Sequence, residues 1–296
     1  MSYEVSILNR LRGNALASTK EDLIVQAFTE CRAAALTLLK ESDVSSKVEG
    51  VRAWAASFRH QQLALDTGWT SDESVSVPGR PDKPLLVSPR LLERRSMATE
   101  EGRATLIHAL AHIEFNAINL ALDAIWRFAH MPVEYYVDWL GVADEEAYHF
   151  SLLNAHLQTL GYAYGDFNAH NTLWEMAEKT KDDVLARIAL VPRTMEARGL
   201  DATPLVRAKI LQVGDVKAAD ILSIILRDEV GHVAVGNRWY AWLCEQRQCD
   251  PISTYTELAR RYKAPGLRGP FNLQARRAAG FTEAELDALP HHTHNF

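Results

Sequence analysis

The sequence DEEAYHFSLL, residues 144–153, places Glu146 and His149 three positions apart. In a helix this spacing brings both side chains to one face. The same face is otherwise apolar, with a stripe at helical spacing made of Trp139, Val142, Leu153, Leu157 and Leu160. An ionised carboxylate that is buried alone among such residues costs too much free energy to stay unpaired. The stretch therefore predicts a long helix whose Glu and His side chains find a partner in the protein core.

A second stretch, DEVGHVAVGNRWY at residues 228–240, repeats the Glu-x-x-His spacing with Glu229 and His232. These residues also share a helix face with apolar side chains, namely Ile221, Leu222, Ile225, Trp239 and Leu243. One Glu-x-x-His is common by chance. Two of them on amphipathic helices favour a shared site.

Two further glutamates interrupt apolar stripes. Glu114 lies within the stripe Ile107, Leu110, Ala111, Ile118, Ala121, Leu122 and Ile125, and Glu196 shares a face with Leu185, Ile188, Ala189 and Met195. Four carboxylates in one core would repel each other as well as being costly to bury. A pair of metal cations removes both difficulties, because the cations supply positive charge and the carboxylates chelate or bridge them.

Periodicity and capping signals predict four long helices in the middle of the chain, at about 99–130, 132–160, 172–199 and 203–244. The third helix is predicted to end near Gly199, because glycine favours helix C-termini. The fourth is predicted to begin with Thr203 as its cap and Pro204 in its first position.

The connections between these helices indicate their topology. The first and second helices, and the third and fourth, are joined by short links, so each pair should be antiparallel. The connection between the second and third helices has roughly 11 residues, enough to cover about 35 Å, the length of a helix in such a bundle. One long crossover is the connectivity of ferritin-like folds. We therefore expect an all-α protein with a ferritin-like four-helix bundle at residues 99–248.

The flanking segments are predicted to be additional helical regions. Residues 1–98 should contain N-terminal helices and, from residue 61, a proline-rich connecting arm, together packed on the bundle. Residues 249–296 should form a C-terminal helical tail.

The order Glu, Glu-x-x-His, Glu, Glu-x-x-His matches the ligand set of di-iron and di-manganese carboxylate bundles. We predict that two metal ions are held by six side chains: Glu114, Glu146, His149, Glu196, Glu229 and His232. This mix of ligands suits iron best, with manganese as the alternative, whereas structural zinc prefers four ligands. The competing interpretation is four solvated glutamates and two histidines that are satisfied within the core.

A metal-binding histidine usually donates its second N–H to a carboxylate or a carbonyl. Asp228, directly before Glu229, is predicted to orient a histidine, and that histidine could lie on a neighbouring helix. Asp144 and Tyr148 are weaker candidates for this role. Glu145 is interpreted as an ordinary exposed helix residue.

Several other polar residues are not predicted to be metal ligands. His112 lies about 200° around the helix from Glu114, so His108 and His112 are predicted to have a capping, packing or supporting role. His291, His292 and His294 are interpreted as part of a flexible tail. A structural role in the C-terminal segment is expected for Arg268, Asn272 and Arg276.

Composition argues against several other classes of function. The formal net charge of −6 gives no basic footprint for nucleic-acid binding. Cys31, Cys244 and Cys249 lack C-x-x-C spacing, which argues against a thiolate zinc site and a disulfide framework. No charge-free stretch reaches about 18 residues, and the N-terminus lacks a signal-peptide core. We therefore expect a cytoplasmic protein with no membrane segment.

Four motifs resemble a bacterial family of uncharacterised ferritin-like proteins: HALAHIEFNAINLALDAIWRF, DEEAYHFSLL, LVPRTMEARGLDATP and DEVGHVAVGNRWY. That family is similar to the tRNA-modifying ferritin-like hydroxylases, and the resemblance covers roughly residues 80–285. It implies a ferritin-like fold and places the ligand set on the same six residues. It also implies that Asp228 matches the acidic position before the last Glu-x-x-His of several related di-iron enzymes.

The predicted site favours an oxygen-activating di-iron hydroxylase or monooxygenase, which requires a small-molecule substrate and an external electron donor. The alternatives are a ferroxidase or iron-storage protein, a di-manganese catalase, and a non-catalytic helical protein stabilised by metal. A homodimer is also left open. A tRNA substrate would require a basic patch at the mouth of the site, formed from Arg94, Arg95, Arg268, Arg276 and Arg277.

Overall fold

The computed structural model describes residues 30–60, 65–71, 76–93 and 95–290. The predictions made for residues 1–29, for Arg94 and for His291, His292 and His294 lie outside these residues. The described chain is all-α, as expected. It contains no β-strand within these ranges, and an isolated parallel bridge joins Leu86 to Ala169.

Eleven α-helices follow one another in the described residues: α1 (Cys31–Lys40), α2 (Val44–His60), α3 (Glu100–Arg127), α4 (Val133–Thr159), α5 (Thr172–Lys179), α6 (Val184–Leu190), α7 (Ala197–Gln212), α8 (Val216–Gln246), α9 (Pro251–Arg261), α10 (Leu273–Ala278) and α11 (Glu283–Asp287). A short 3₁₀ helix spans Pro89–Leu91, and a π-helix spans Val191–Glu196 between α6 and α7.

Two of the long helices, α3 and α8, begin at side-chain caps. Thr99 accepts a hydrogen bond from the amide of Gly102 at the start of α3, and Asp215 accepts one from Ala218 at the start of α8. Each cap satisfies an amide that has no partner within the helix. Helices α3 and α4 then pack along one another, and α8 packs against α4 and α7.

The N-terminal helices cover one side of this core. Helix α1 packs on α3, and α2 packs on α4. Arg32 of α1 is buried and donates to the carbonyl oxygens of Ile125 (3.2 Å) and Trp126 at the end of α3. These carbonyls lack partners within their helix, so the guanidinium both caps α3 and attaches α1 to it.

The predicted boundary between the third and fourth helices is wrong. No helix ends at Gly199, and none begins at Thr203. Instead, the chain passes from the π-helix into α7 and continues through Pro204 to Gln212. The turn follows at Gly214, whose φ of +84° suits glycine.

Pro204 is tolerated inside α7 because another part of the chain donates a hydrogen bond to the carbonyl that proline leaves unpaired. Proline has no N–H, so the carbonyl of Leu200 loses its hydrogen bond. Asn272, in the C-terminal segment, donates its side-chain amide to that carbonyl at 3.2 Å. Asp201 of α7 also accepts from the backbone amide of Asn272 and from Arg276. The C-terminal segment therefore stabilises a helix that the local sequence would have interrupted.

The proline-rich arm is held in place by backbone hydrogen bonds. The amide of Gly79 donates to Leu39 at the end of α1 (2.8 Å), and the amide of Val87 donates to Ala169 (2.8 Å). The amide of Ala169 donates to Leu85 in return (3.0 Å). The arm and the loop before α5 are thus joined over the outer face of α3.

None of the helices in the described residues is both long enough and apolar enough to span a bilayer.

Candidate metal centre

Four of the six predicted ligands meet in the core. Each of Glu114, Glu146, His149 and Glu229 offers one oxygen or nitrogen atom, and these four atoms all lie within 4.8 Å of one another. All four residues are buried. They come from α3, α4 and α8, so the packing of three long helices creates the cluster. A buried group of this kind could hold a metal ion.

Glu146 lies between the two histidines. Its Oε1 is 2.9 Å from Nδ1 of His232, and its Oε2 is 3.6 Å from Nδ1 of His149. On the outer sides, Glu114 is 3.3 Å from Nδ1 of His149, and Glu229 is 3.6 Å from Nδ1 of His232. Each histidine therefore has a carboxylate of its own and shares the carboxylate of Glu146.

Glu196 completes the set from a different kind of element. It is the last residue of the π-helix, and its Oε2 is buried without a hydrogen bond among the described residues. Burial raises the pKa of its carboxyl group, and the charges of Glu229 and Glu146 raise it further. A π-helix is rare and often occurs at a functional site. Periodicity at 3.6 residues per turn does not predict it.

Each of the six residues contributes one buried atom that has no hydrogen bond within the described part of the chain: Glu114 Oε2, Glu146 Oε2, His149 Nδ1, Glu196 Oε2, Glu229 Oε2 and His232 Nδ1. Some of these atoms are close together but are not aligned for hydrogen bonds, as with Nδ1 of His149 and Oε2 of Glu114 at 3.3 Å. Buried polar groups are normally paired, so six orphans in one place need an explanation. Four carboxylate oxygens and two imidazole nitrogens fit one or more metal cations.

The opposite nitrogen of each histidine has a carboxylate partner on the other helix. Nε2 of His149 on α4 donates to Asp228 of α8 at 3.1 Å. Nε2 of His232 on α8 donates to Glu145 of α4 at 2.7 Å. These bonds leave both Nδ1 atoms free to face the cluster, which is the arrangement of a carboxylate–histidine–metal triad.

The interpretation of Glu145 as an ordinary exposed residue is wrong. Its side chain is 53% exposed, yet it holds His232 through a direct hydrogen bond. The sequence did carry a signal, because an acidic residue directly precedes the glutamate in both motifs, as Glu145–Glu146 and Asp228–Glu229.

Asp144 and Tyr148 lie beside the cluster with a different neighbour. Asp144 forms an ion pair with Arg52 of α2 at 2.9 Å. The same guanidinium lies over the ring of Tyr148, 5.3 Å from its centroid, and that ring is tilted against His149. A role for either residue in orienting a ligand stays a prediction.

Three of the four carboxyl groups have raised pKa values. Burial raises the pKa values of Glu114 and Glu229, and the negative charge of Glu146 raises them further. Burial also raises the pKa of Glu196, together with the charges of Glu229 and Glu146.

The histidines and Glu146 favour their charged forms. Burial lowers the pKa of His149, but contacts with Glu114 and Glu146 outweigh it and raise the pKa to about 11. The pKa of His232 is raised for the same reason by Glu146 and Glu145. For Glu146, burial is outweighed by His232 and His149, which lower its pKa. In the absence of metal, the protons on His149 and His232 thus supply the positive charge that balances the carboxylates, a charge that a bound metal cation would otherwise supply.

A small cavity adjoins the cluster at Glu196. Its walls are mostly apolar and are formed by Leu120, Ala124, Trp139, Ile188, Val191 and Pro192, with Arg187 at one side. Its volume is about 10 Å³. A space of this size holds about one water molecule.

Of the basic residues proposed for a nucleic-acid surface, Arg95 precedes α3 whereas Arg276 and Arg277 lie on α10, and these three residues have acidic partners. Arg95 pairs with Glu93 at 2.7 Å, Arg276 with Asp201 and Arg277 with Glu283, each at 2.6 Å. Arg95 also pairs with Glu101, and Arg268 is exposed.

Comparison with known proteins identifies relatives but no reaction. Residues 40–287 match the model of a family described as "Protein of unknown function (DUF455)". A protein of Haemophilus influenzae described as "Uncharacterized protein" is 55% identical over 219 residues, which cover 72% of this chain and 76% of that protein. No solved structure matches the chain significantly.

Proposed function

Because the chain belongs to the family described as "Protein of unknown function (DUF455)", we propose its function from the chemistry of its site. We propose that it is an oxidoreductase with a dinuclear metal–carboxylate centre, of the hydroxylase or monooxygenase type, that activates O₂. In this proposal the helices form a ferritin-like four-helix bundle, and the two metal ions are iron.

The six orphaned buried atoms carry the proposal. They belong to the six residues whose spacing along the chain predicts a metal pair, and four of these residues form the cluster between α3, α4 and α8. A single ion would not need all of these groups. Six oxygen and nitrogen ligands divided between two ions leave coordination positions open for a small molecule. The oxygen-rich ligand set favours iron or manganese over zinc.

The protein residues would position and balance the metals. Glu146 lies between His149 and His232, so it is suited to bridge two ions while Glu114 and Glu229 each serve one side. Asp228 and Glu145 hold the two imidazole rings in the tautomer that presents Nδ1. A ferrous pair in such a site supplies the electrons that reduce O₂, and an external electron donor would restore it.

The cavity at Glu196 supports the use of a small apolar molecule such as O₂. Its walls are mostly apolar, and its volume of about 10 Å³ does not admit an organic substrate. A hydroxylase must therefore open this region for its substrate. The π-helix is suited to such movement, because its hydrogen bonding is less regular than that of an α-helix.

Ferroxidase activity is the second candidate, and the size of the same cavity favours it. Oxidation of ferrous ions requires O₂ but no organic pocket. The exposed carboxylate of Glu145, next to the buried cluster, could receive ferrous ions from solvent.

An oxygen-isotope experiment separates these functions. Protein loaded anaerobically with ferrous iron is exposed to ¹⁸O₂ together with small-molecule or tRNA fractions and a chemical reductant. The proposed hydroxylase incorporates ¹⁸O into one organic compound, and an E229Q variant does not. If ferrous iron beyond the bound pair is oxidised repeatedly without any labelled compound, the ferroxidase interpretation replaces the hydroxylase.

A further inference from the structure

Helix α3 buries a second set of polar residues that the metal centre does not use. His108, His112, Asn116, Asn119 and Asp123 follow one another at intervals of four, four, three and four residues. These intervals place them along one side of the helix, and all five are buried. We call them the polar stripe.

The polar stripe and the metal centre lie on different faces of α3. At about 100° per residue, Asn116 and His112 are each about 200° from Glu114. Buried polar residues are uncommon and informative, whereas buried apolar residues are expected. Five in a row on the face away from the ligands indicate a second functional surface.

The two ends of the polar stripe have mainly structural partners. Asp123 is held by Arg127 at 2.7 Å and by Arg187. His108 accepts a hydrogen bond from the amide of Gly165 at 3.0 Å. These contacts attach α3 to its neighbours. They do not account for the three middle residues of the polar stripe, His112, Asn116 and Asn119.

The middle of the polar stripe faces a pocket of about 230 Å³. His112, Asn116 and Asn119 form its floor, together with Phe115. The proline-rich arm and the loop before α5 form its sides, and the bridge between Leu86 and Ala169 joins them. The pocket is therefore built from three separate segments that backbone hydrogen bonds hold together.

The rings and the arm supply apolar walls. Phe115 and Tyr164 lie 5.5 Å apart between ring centroids, and Leu85 and Pro84 come from the arm. The hydroxyl of Tyr164 is 2.8 Å from Nδ1 of His112, so its polar end is already engaged. A ligand would thus meet an apolar surface on one side and, on the other, the side chains of Asn116 and Asn119, whose amides also donate to carbonyls of α3.

Two cations beside this pocket have no carboxylate partner among the described residues. Lys47 is fully buried, and its ammonium donates to the carbonyls of Leu39 and Gly79 and, at 2.6 Å, to Asn119 Oδ1. Arg80 lines the pocket and donates to the neutral side chain of Asn171 at 2.9 Å.

A buried ammonium surrounded only by neutral acceptors is costly, because burial opposes its charge. The carboxylate in the pocket lining, Asp82, is exposed and does not pair with either cation in the described residues. The local charge is therefore positive, although the whole chain carries a net charge of −6. An anion in the pocket would compensate it.

We propose that this pocket binds a small organic anion, with its carboxylate or phosphate at Arg80 and the amides of the polar stripe and its apolar body against Phe115 and Leu85. Arginine suits such a group because its planar fork can form two hydrogen bonds to one anion. The buried charge of Lys47 adds long-range attraction without direct contact. The site is separate from the metal centre, and it does not depend on the function proposed for that centre.

Calorimetric titration of the full chain with three matched probes tests this proposal. The probes are phenylacetate, phenyl phosphate and neutral phenylacetamide, which differ mainly in charge and in the type of anionic group. We expect one of the two anions to bind roughly tenfold or more tightly than phenylacetamide, a difference that indicates charge recognition. Whichever anion binds more tightly identifies the chemical class.

Two variants and a control locate the binding. Arg80→Gln should remove most of the preference for the anion, and Lys47→Met should weaken anion binding without affecting phenylacetamide. Arg90→Gln, at an exposed arginine of the short 3₁₀ helix, should leave all three titrations unchanged. Thermal melting confirms that each variant is folded, and Arg80→Gln provides the test if Lys47→Met is not. The proposal is overturned if no probe binds, if the anions and the amide bind alike, or if Arg80→Gln has no effect.

Discussion

Asp228 of α8 accepts a hydrogen bond from His149 of α4 at 3.1 Å. The next residue along α8, Glu229, belongs to the buried cluster. The contact between Glu145 and His232 repeats this relationship in the reverse direction, at 2.7 Å. In both motifs, the acidic residue before the glutamate supports the histidine of the other helix. Each helix therefore holds the predicted ligand histidine of the other, so the relative position of the two helices determines the geometry of the cluster.

Removing one of these supporting carboxylates should weaken metal binding without abolishing it. Asp228→Asn keeps the shape of the side chain but removes the charge that orients His149. We expect metal affinity to fall by roughly 10–100-fold, the range seen for supporting residues at other sites. Competition with a chromophoric chelator measures the change. Asp220→Asn, at an exposed aspartate of the same helix, is the matched control.

Glu145→Gln should show a loss of affinity of similar size, even though this residue is largely exposed. Its control is Glu134→Gln, at another exposed glutamate of α4. Equal affinities for Glu145→Gln and its control would show that the hydrogen bond to His232 does not support the metal.

The π-helix is packed closely against α8, which gives a third prediction. A Cβ atom added at Gly236 would lie 2.8 Å from Cβ of Pro192, so one of the two helices must move. We expect Gly236→Ala to lower the free energy of unfolding by about 1–3 kcal/mol. Gly231→Ala on the same helix meets nothing within 4 Å. It should stabilise the protein by up to about 1 kcal/mol through helix propensity. Denaturant unfolding of both variants is the measurement, and similar effects for the two would contradict the close packing.

The partnership between Asn272 and Pro204 can be tested with a double-mutant cycle. Asn272→Ala leaves the carbonyl of Leu200 without its donor and also removes the cap of α10, at a cost of about 1–3 kcal/mol. Pro204→Ala restores an amide that can bond to Leu200 within the helix. Asn272→Ala should therefore cost less in the Pro204→Ala background. Strict additivity of the two changes would mean that Asn272 does not compensate for the proline.

Lys47 should make stability depend on pH. Burial lowers its pKa from 10.5 to about 7. Between these values the unfolded chain binds more protons than the folded protein, so the free energy of unfolding rises with pH by at most about 1.4 kcal/mol per unit. Below pH 7 both states hold the proton, and the destabilisation is fully present.

Lys47→Met removes this titration and should flatten the curve of stability against pH across that window. Lys40→Met, at an exposed lysine of α1, should leave the slope of the wild-type curve unchanged. A wild-type curve that is already flat, after correction with this control, would show that the buried ammonium does not have the predicted effect.

The long helices and the meeting of four ligands follow from local rules that a sequence displays. Glu146, His149 and Glu229 interrupt apolar stripes at helical spacing, and helix packing brings such stripes together. The end of the third helix was predicted wrongly because Pro204 is a local signal, whereas the compensating donor, Asn272, lies far along the chain. No local rule includes that contact.

The supporting residues were harder to predict than the ligands for a similar reason. Glu145 lies on the solvent side of α4, so its polarity needs no explanation until the position of His232 is known. Glu196 was proposed from its apolar neighbours, but the π-helix that carries it packs against Gly236, and no local pattern in the sequence indicates that contact.

The central claim is a pair of metal ions with Glu146 between them. Iron analysis combined with Mössbauer spectroscopy, on protein loaded anaerobically with ferrous iron and then oxidised, tests it most directly. We predict about two iron ions per chain, magnetically coupled to each other. The Glu146→Gln variant should bind both ions more weakly or not at all. A single uncoupled ion, no bound iron, or an unchanged coupled pair in Glu146→Gln would contradict the account.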